Sequence, residues 1–66
     1  MIGFFMKKQK DLSSYRILIV DDEKAIRMML FDYLEVIYQV ETAETGEQAL
    51  DLLEKSRFDL VISDIN

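Results

Sequence analysis

The sequence predicts an α/β domain: part of a doubly wound parallel sheet, in the order β-α-β-α-β, with strand order 2-1-3. Three observations lead there. Two short runs rich in branched apolar residues, Ile17-Leu18-Ile19-Val20 and Leu60-Val61-Ile62, each lead into acids. Between them lie two stretches whose apolar residues recur at three- and four-residue spacing. A short alternating segment separates those two stretches. Strands that alternate with helices build parallel sheets, because a parallel pair needs a long crossover between its members.

The first strand is expected over Arg16–Asp21. Its continuous apolar run suits a strand covered on both faces. Asp22 is the expected cap of the following helix, with Glu23 favourable in its first turn. Ile26, Met29, Leu30, Tyr33, Leu34 and Ile37 form the apolar stripe of that helix, and Arg27, Asp32 and Glu35 fall off it. Over 38–43, Tyr38, Val40 and Thr42 alternate with Gln39 and Glu41, the pattern of a half-exposed edge strand. Thr45 begins the second helix and, with Gln48, makes a capping box. Ala49, Leu50, Leu52 and Leu53 supply its buried side, and Lys55 and Arg57 stand near its C-terminus, where the helix dipole favours cations. The last strand covers Asp59–Asp64. With the alternating strand at an edge, right-handed crossovers put the two helices on opposite faces. The first and third strands then flank the switch point of the sheet, where ligands bind beyond the carboxyl ends of the strands.

Composition narrows the chemistry. The chain has 66 residues, 13 acids, 8 Lys plus Arg, a net charge of −5, and no His, Cys, Trp or Pro. Disulfides, Cys/His zinc sites and imidazole-based triads are therefore excluded. An acidic chain with so few cations is a poor binder of a phosphate backbone, so no nucleic-acid partner is expected through this segment. The apolar opening Met1–Met6 stops at Lys7 and Lys8, too short for a membrane span and in the wrong order for a secretory signal. A cytoplasmic location is expected. All thirteen acids follow residue 10, whereas Lys7, Lys8 and Lys10 precede them; residues 1–14 are expected to be a mobile tail and 15–66 the domain.

The acids at the strand ends are the most informative feature. Asp21 and Asp22 end the first strand and Asp64 ends the third, so three carboxylates should converge on the switch point. Clustered carboxylates resist ionising together, and a hard divalent cation relieves that; Mg²⁺ takes one or two carboxylates with waters and phosphate oxygens. A carboxylate beside Mg²⁺ can attack phosphorus and form an acyl phosphate. Taken singly, an Asp-Asp pair after a strand also suits a helix cap and solvated loop, and Ser63-Asp64 an ordinary strand end. Lys24 and Lys55 could meet a phosphate, but exposed helical lysines ordinarily face water.

Arg16-Ile-Leu-Ile-Val-Asp-Asp-Glu23, Thr42-Ala-Glu-Thr-Gly-Glu-Gln-Ala-Leu50 and Phe58-Asp-Leu-Val-Ile-Ser-Asp-Ile-Asn66 together resemble the first three strands, with their junctions, of a bacterial two-component response-regulator receiver domain. The resemblance covers about residues 15–66 and implies a flavodoxin-like sheet. It further implies Asp64 as phosphoacceptor, Asp21, Asp22 and Asp64 as Mg²⁺-binding acids, the Asn66 backbone carbonyl as a further metal ligand, and a sensor histidine kinase as partner. Such a module is a phosphoacceptor in signal transduction rather than an enzyme. A complete receiver resembles five β-α units; this sequence supplies two and a third strand. The Ser/Thr of a fourth strand and the Lys of a fifth have no counterpart in it, so the 66-residue chain alone is expected to be impaired in phosphotransfer. The Gly often found after the first helix is replaced by Ile37-Tyr38.

Two other functions compete. One is a non-catalytic interaction fragment that pairs through the third strand, by self-association or with another chain. The other is a haloacid-dehalogenase-like phosphotransfer fold, which calls for Asp-x-Asp where this chain has adjacent acids.

Overall fold

A computed structural model of the chain describes residues 11–63. Its elements are a 3₁₀ turn Leu12–Ser14, β1 (Arg16–Val20), α1 (Lys24–Leu34), β2 (Gln39–Ala43), α2 (Gly46–Lys55) and β3 (Leu60–Ser63). The three strands are parallel in the order β2-β1-β3, a partial flavodoxin-like sheet. The predicted element order and strand order are both observed. Met1–Lys10 of the expected tail lie outside the described residues. Its final residues form the 3₁₀ turn, where the Gln39 side-chain amide donates to the Ser13 carbonyl at 3.0 Å.

β1 is the centre of the core because, among the described residues, it alone has a strand on each side. Ile17, Leu18, Ile19 and Val20 are all buried, and Leu18 and Ile19 reach 0% exposure. Burying one such side chain is worth about 1.5–3 kcal/mol. Leu18 and Val20 share a face, since side chains alternate along a strand, and pack with Ala43 of β2 and Ala49 of α2. Leu52 and Phe58 close the edge of that cluster. Ile17 and Ile19 belong to the other face, and α1 also lies against β1 and β2.

The amphipathic faces are narrower than expected. Of the predicted α1 stripe, Ile26, Leu30 and Leu34 are half-buried, but Met29, Tyr33 and Ile37 are exposed. Arg27, expected off the stripe, is buried, and Phe31 is half-buried beside it. The helix therefore faces the sheet along 26–27, 30–31 and 34, about a sixth of a turn from the predicted centre. Ile37 lies past the helix, in a turn where the Leu34 carbonyl accepts from both Ile37 N (3.1 Å) and Tyr38 N (2.9 Å). No described residue has positive φ, so this exit does not require the glycine whose absence the sequence had raised. In α2, Ala49 is buried and Leu52 half-buried, while Leu50 and Leu53 are exposed. Both helices lie over β1 and β2, and a sheet with three described strands leaves the flanks of each apolar face unmet.

β3 leaves apolar surface open in the same way. Its sequence suits a strand covered on both faces, yet Leu60 is 52% and Val61 42% exposed. Among the described residues it pairs only with β1. Its start is secured at Asp59, whose N–H donates to the Arg16 carbonyl and whose carboxylate accepts from Arg16 N, each at 2.8 Å. The Arg16 guanidinium meets Glu41 at 2.7 Å and lies 4.9 Å from the Phe58 ring centroid. This cluster ties all three strands together at their amino ends, opposite the end that carries the acids. No helix among the described residues is long and apolar enough to cross a membrane.

Candidate functional site at the carboxyl ends of the strands

The register aligns the three carboxyl ends. Val20 of β1 pairs with Ala43 of β2 and with Ser63 of β3. In sequence, each of these residues is followed by an acid: Asp21, Glu44 and Asp64. Asp21 continues the ladder, its N–H donating to the Ala43 carbonyl at 3.1 Å. Asp64 and Asn66 lie outside the described residues. The structure thus brings Asp21 and Asp22 to the switch point, with the last described residue of β3 one pairing step away.

Asp21 and Asp22 have different surroundings. Asp21 is only 5% exposed, and its Oδ1 accepts from Glu23 N at 2.8 Å. This is an Asx turn, in which a side-chain oxygen takes the amide two residues on. A hydrogen bond to a charged group is worth about 1.5–3 kcal/mol. Asp22 is exposed. Asp22 was expected to cap α1, and that expectation is corrected here. The Asx turn at Asp21 satisfies the first free amide and delays the helix to Lys24, so Glu23 becomes the N-cap residue, with no capping bond from its own side chain. Glu23 therefore stands before the first turn rather than in it.

Arg27 ties this corner to the next loop. It is 6% exposed; its Nη1 donates to the Asp21 carbonyl at 2.8 Å and its Nη2 meets Glu44 Oε1 at 3.4 Å. Its own N–H donates to the Glu23 carbonyl at 3.0 Å. One side chain from α1 thus joins the end of β1 to the loop after β2. That loop leads into α2 through the predicted cap: Thr45 Oγ1 accepts from Gln48 N at 3.2 Å. The reciprocal bond is shifted by one residue, with Gln48 Oε1 accepting from Glu44 N at 2.8 Å rather than from Thr45 N. Of the two lysines considered for phosphate, Lys55 is paired with Asp51 at 2.9 Å on the surface of α2, and Lys24 is exposed at the start of α1.

The donor set suits a hard cation. Asp21 and Asp22 offer oxygen alone, in adjacent positions, one carboxylate fixed by the backbone and the other open to water. Mg²⁺ keeps several waters and takes one or two carboxylates, so these two residues fit it. Among the described residues no three His, Cys, Asp or Glu come together as a metal-holding group. A buried carboxylate beside an exposed one at the end of the central strand lies where open parallel sheets bind their ligands.

The comparisons with known proteins give the family. Residues 17–66 match the family described as the response regulator receiver domain. The chain is 41% identical over 61 residues to the sensor histidine kinase RcsC of Escherichia coli K12, covering 91% of this chain and 6% of that protein. It is 43% identical over 61 residues to the probable transcriptional regulator ycf27 of Porphyra purpurea, covering 91% of this chain and 24% of that protein. It is 45% identical over 51 residues to the response regulator MprA of Mycolicibacterium vanbaalenii, covering 76% of this chain and 22% of that protein. The chain belongs to the response regulator receiver domain family, the receiver modules of two-component signalling. It spans no more than 24% of the length of any of these three relatives.

Sequence reasoning missed Arg27 and Glu44. A signal for Arg27 was present: it is the first arginine after three consecutive acids and stands between Ile26 and Leu30, on the helix face that packs. Glu44 carried a weaker one, as the acid directly after the second strand.

Proposed function

We propose that the chain provides the acid-pocket part of a phosphoacceptor site in two-component phosphorelay signalling, with Asp64 as the phosphoacceptor. Asp21 and Asp22 would hold Mg²⁺ together with Asp64 and the Asn66 backbone carbonyl. The observation that carries this is the buried, backbone-fixed carboxylate of Asp21 beside the exposed Asp22, at the strand end level with Ser63. Bound Mg²⁺ would supply positive charge next to the transferring phosphoryl oxygens. The chain's own residues do the remaining work. Asp21 is held in one orientation by Glu23 N, Asp22 is left free to meet solvent or metal, and Asp64 offers a carboxylate oxygen to phosphorus.

The phosphodonor would be a sensor histidine kinase, which places the module in the cytoplasm, and its role is signal reception rather than turnover. The 66-residue chain by itself is impaired in phosphotransfer, because electrostatic stabilisation of the phosphoryl group is normally the main catalytic term. Among its described cations, Arg16 meets Glu41, Arg27 is committed to Asp21 and Glu44, and Lys55 to Asp51, while Lys24 and Arg57 are exposed to water.

Incubation with a small acyl phosphate, with and without Mg²⁺, followed by peptide mass spectrometry, tests this. Label should form slowly if it forms, require Mg²⁺, reside on Asp64 and vanish in Asp64→Asn. Label on another residue, or label indifferent to Mg²⁺, contradicts the assignment; rapid stoichiometric labelling contradicts the impairment. A second function, pairing with another chain through β3, is favoured by the exposure of Leu60 and Val61 on a strand with one described neighbour.

A further inference from the structure

We infer that Arg27 is a positioning residue for the acid pocket. Its guanidinium holds the backbone of Asp21, and thereby the direction of the Asp21 carboxylate, against the loop that begins at Glu44. The part of this inference that concerns metal affinity rests on the proposed Mg²⁺ site; the part that concerns the backbone does not.

Three observations carry it. First, Arg27 is buried, although arginine is almost never fully buried without a partner. The burial is directed, because the shorter of its two side-chain bonds, 2.8 Å, goes to a backbone carbonyl and not to a carboxylate. Second, that carbonyl belongs to the one residue of the acid pair whose carboxylate is itself fixed, by Glu23 N at 2.8 Å. Asp21 is thereby gripped at three atoms: its N–H by Ala43, its carbonyl by Arg27 and its Oδ1 by Glu23. Third, the other arm of the fork reaches Glu44, whose N–H is capped by Gln48. One rigid planar group therefore spans the carboxyl ends of β1 and β2. Lysine, a point charge with no fork, could not hold both ends in the same geometry.

A buried cation near two acids has a simpler possible role, as a counter-charge. The two roles predict opposite signs. Removing a mere counter-charge leaves the acids more negative, so Mg²⁺ binds more tightly. Removing a support lets the Asp21 backbone relax, and Mg²⁺ binds less tightly. Losing groups that orient a metal's ligands typically lowers affinity by about 10–100-fold. The ion pair with Glu44 is long and its carboxylate side is largely exposed, so Glu44→Gln should change affinity by no more than about twofold.

The test uses the full chain labelled with ¹⁵N, Mg²⁺ alone as the probe, and amide hydrogen exchange in metal-free buffer as a second readout. In Arg27→Met the amides of Asp21 and Glu23 should exchange about tenfold faster, the scale of one lost charge-assisted hydrogen bond, with Leu18 and Ile19 unchanged. Mg²⁺ affinity should fall by at least about tenfold, and Arg27→Lys should fall between wild type and Arg27→Met. Unchanged exchange at Asp21 and Glu23 overturns the inference, as does tighter Mg²⁺ binding in Arg27→Met. Should Arg27→Met fail to fold, Arg27→Lys carries the test through the same two amides, and equal acceleration at Leu18 and Ile19 in that variant contradicts a positioning role. If the wild-type chain takes up no Mg²⁺ yet the two amides respond selectively, the metal site is wrong and the positioning role stands.

Discussion

Asp21 is given two roles here, one in the fold and one toward a cation, and a pair of substitutions separates them. Its Oδ1 accepts from Glu23 N at 2.8 Å, and the residue is 5% exposed. Asp21→Asn keeps an oxygen at that position but removes the charge. Asp21→Ala removes the acceptor and leaves the Glu23 amide without this bond. A hydrogen bond to a charged group contributes about 1.5–3 kcal/mol, so Asp21→Ala should cost roughly 2 kcal/mol. At about 4–8 °C per kcal/mol for a domain of this size, Tm should fall by roughly 8–16 °C. Asp21→Asn should stay within about 1 kcal/mol of wild type without metal, because the bond to Glu23 is weakened while repulsion from Asp22 is removed. Both variants should lose Mg²⁺ binding. Thermal unfolding followed by circular dichroism in EDTA, repeated with Mg²⁺, measures all of this. Equal destabilisation by Asn and Ala would refute the Asx-turn account, and Mg²⁺ stabilisation retained in Asp21→Asn would refute the charge account.

Other consequences follow from the packing. Leu18→Ala removes a wholly buried side chain of the one strand that, among the described residues, is paired on both sides, and should cost about 2–5 kcal/mol in urea unfolding; a cost below about 1 kcal/mol would mean β1 is not the core. Thr45→Ala removes the acceptor of Gln48 N and should cost about 1 kcal/mol by the same assay; no change would show that the cap is not formed in solution. Concentration-dependent light scattering should report self-association through β3, reduced in Val61→Lys because charge on an edge strand opposes pairing; a monodisperse monomer at every concentration contradicts this.

Most of the fold was legible because it rests on short-range pattern. Ile17-Leu18-Ile19-Val20 reads as a covered strand, Thr45 with Gln48 marks the start of α2, and the alternation over 38–43 marks an edge. That edge pattern, set against two fully apolar strands, implies the order 2-1-3, which the pairing confirms. The helix faces were legible only in part. Met29, Tyr33, Leu50 and Leu53 are apolar at helical spacing, but exposure depends on how far the sheet extends beneath them, and no helical period carries that. Arg27 was missed for a related reason: charge was taken to mean solvent, whereas its partner is a backbone carbonyl that no side-chain pattern reveals. Asp22 suits a cap by residue type, but the bond to the Glu23 amide comes from Asp21, a choice made by the Asx-turn geometry. The switch point itself was legible, since Asp21 and Asp22 had to fall at the end of the first strand.

The central claim is that the acids at the strand ends form a Mg²⁺ pocket, and thermal unfolding with and without Mg²⁺ tests it most directly. A ligand that binds only the folded chain stabilises it by about 2.7 kcal/mol at one hundred times its Kd. For a domain of this size that is a rise in Tm of roughly 10–20 °C. Asp22→Ala, at an exposed side chain, should leave the metal-free Tm nearly unchanged, within about 0.5 kcal/mol, and abolish most of the rise. The account predicts a saturable Mg²⁺-dependent increase in wild type that is lost in Asp22→Ala. Identical Tm values in EDTA and excess Mg²⁺ for a folded wild-type chain, or an undiminished increase in Asp22→Ala, would contradict it.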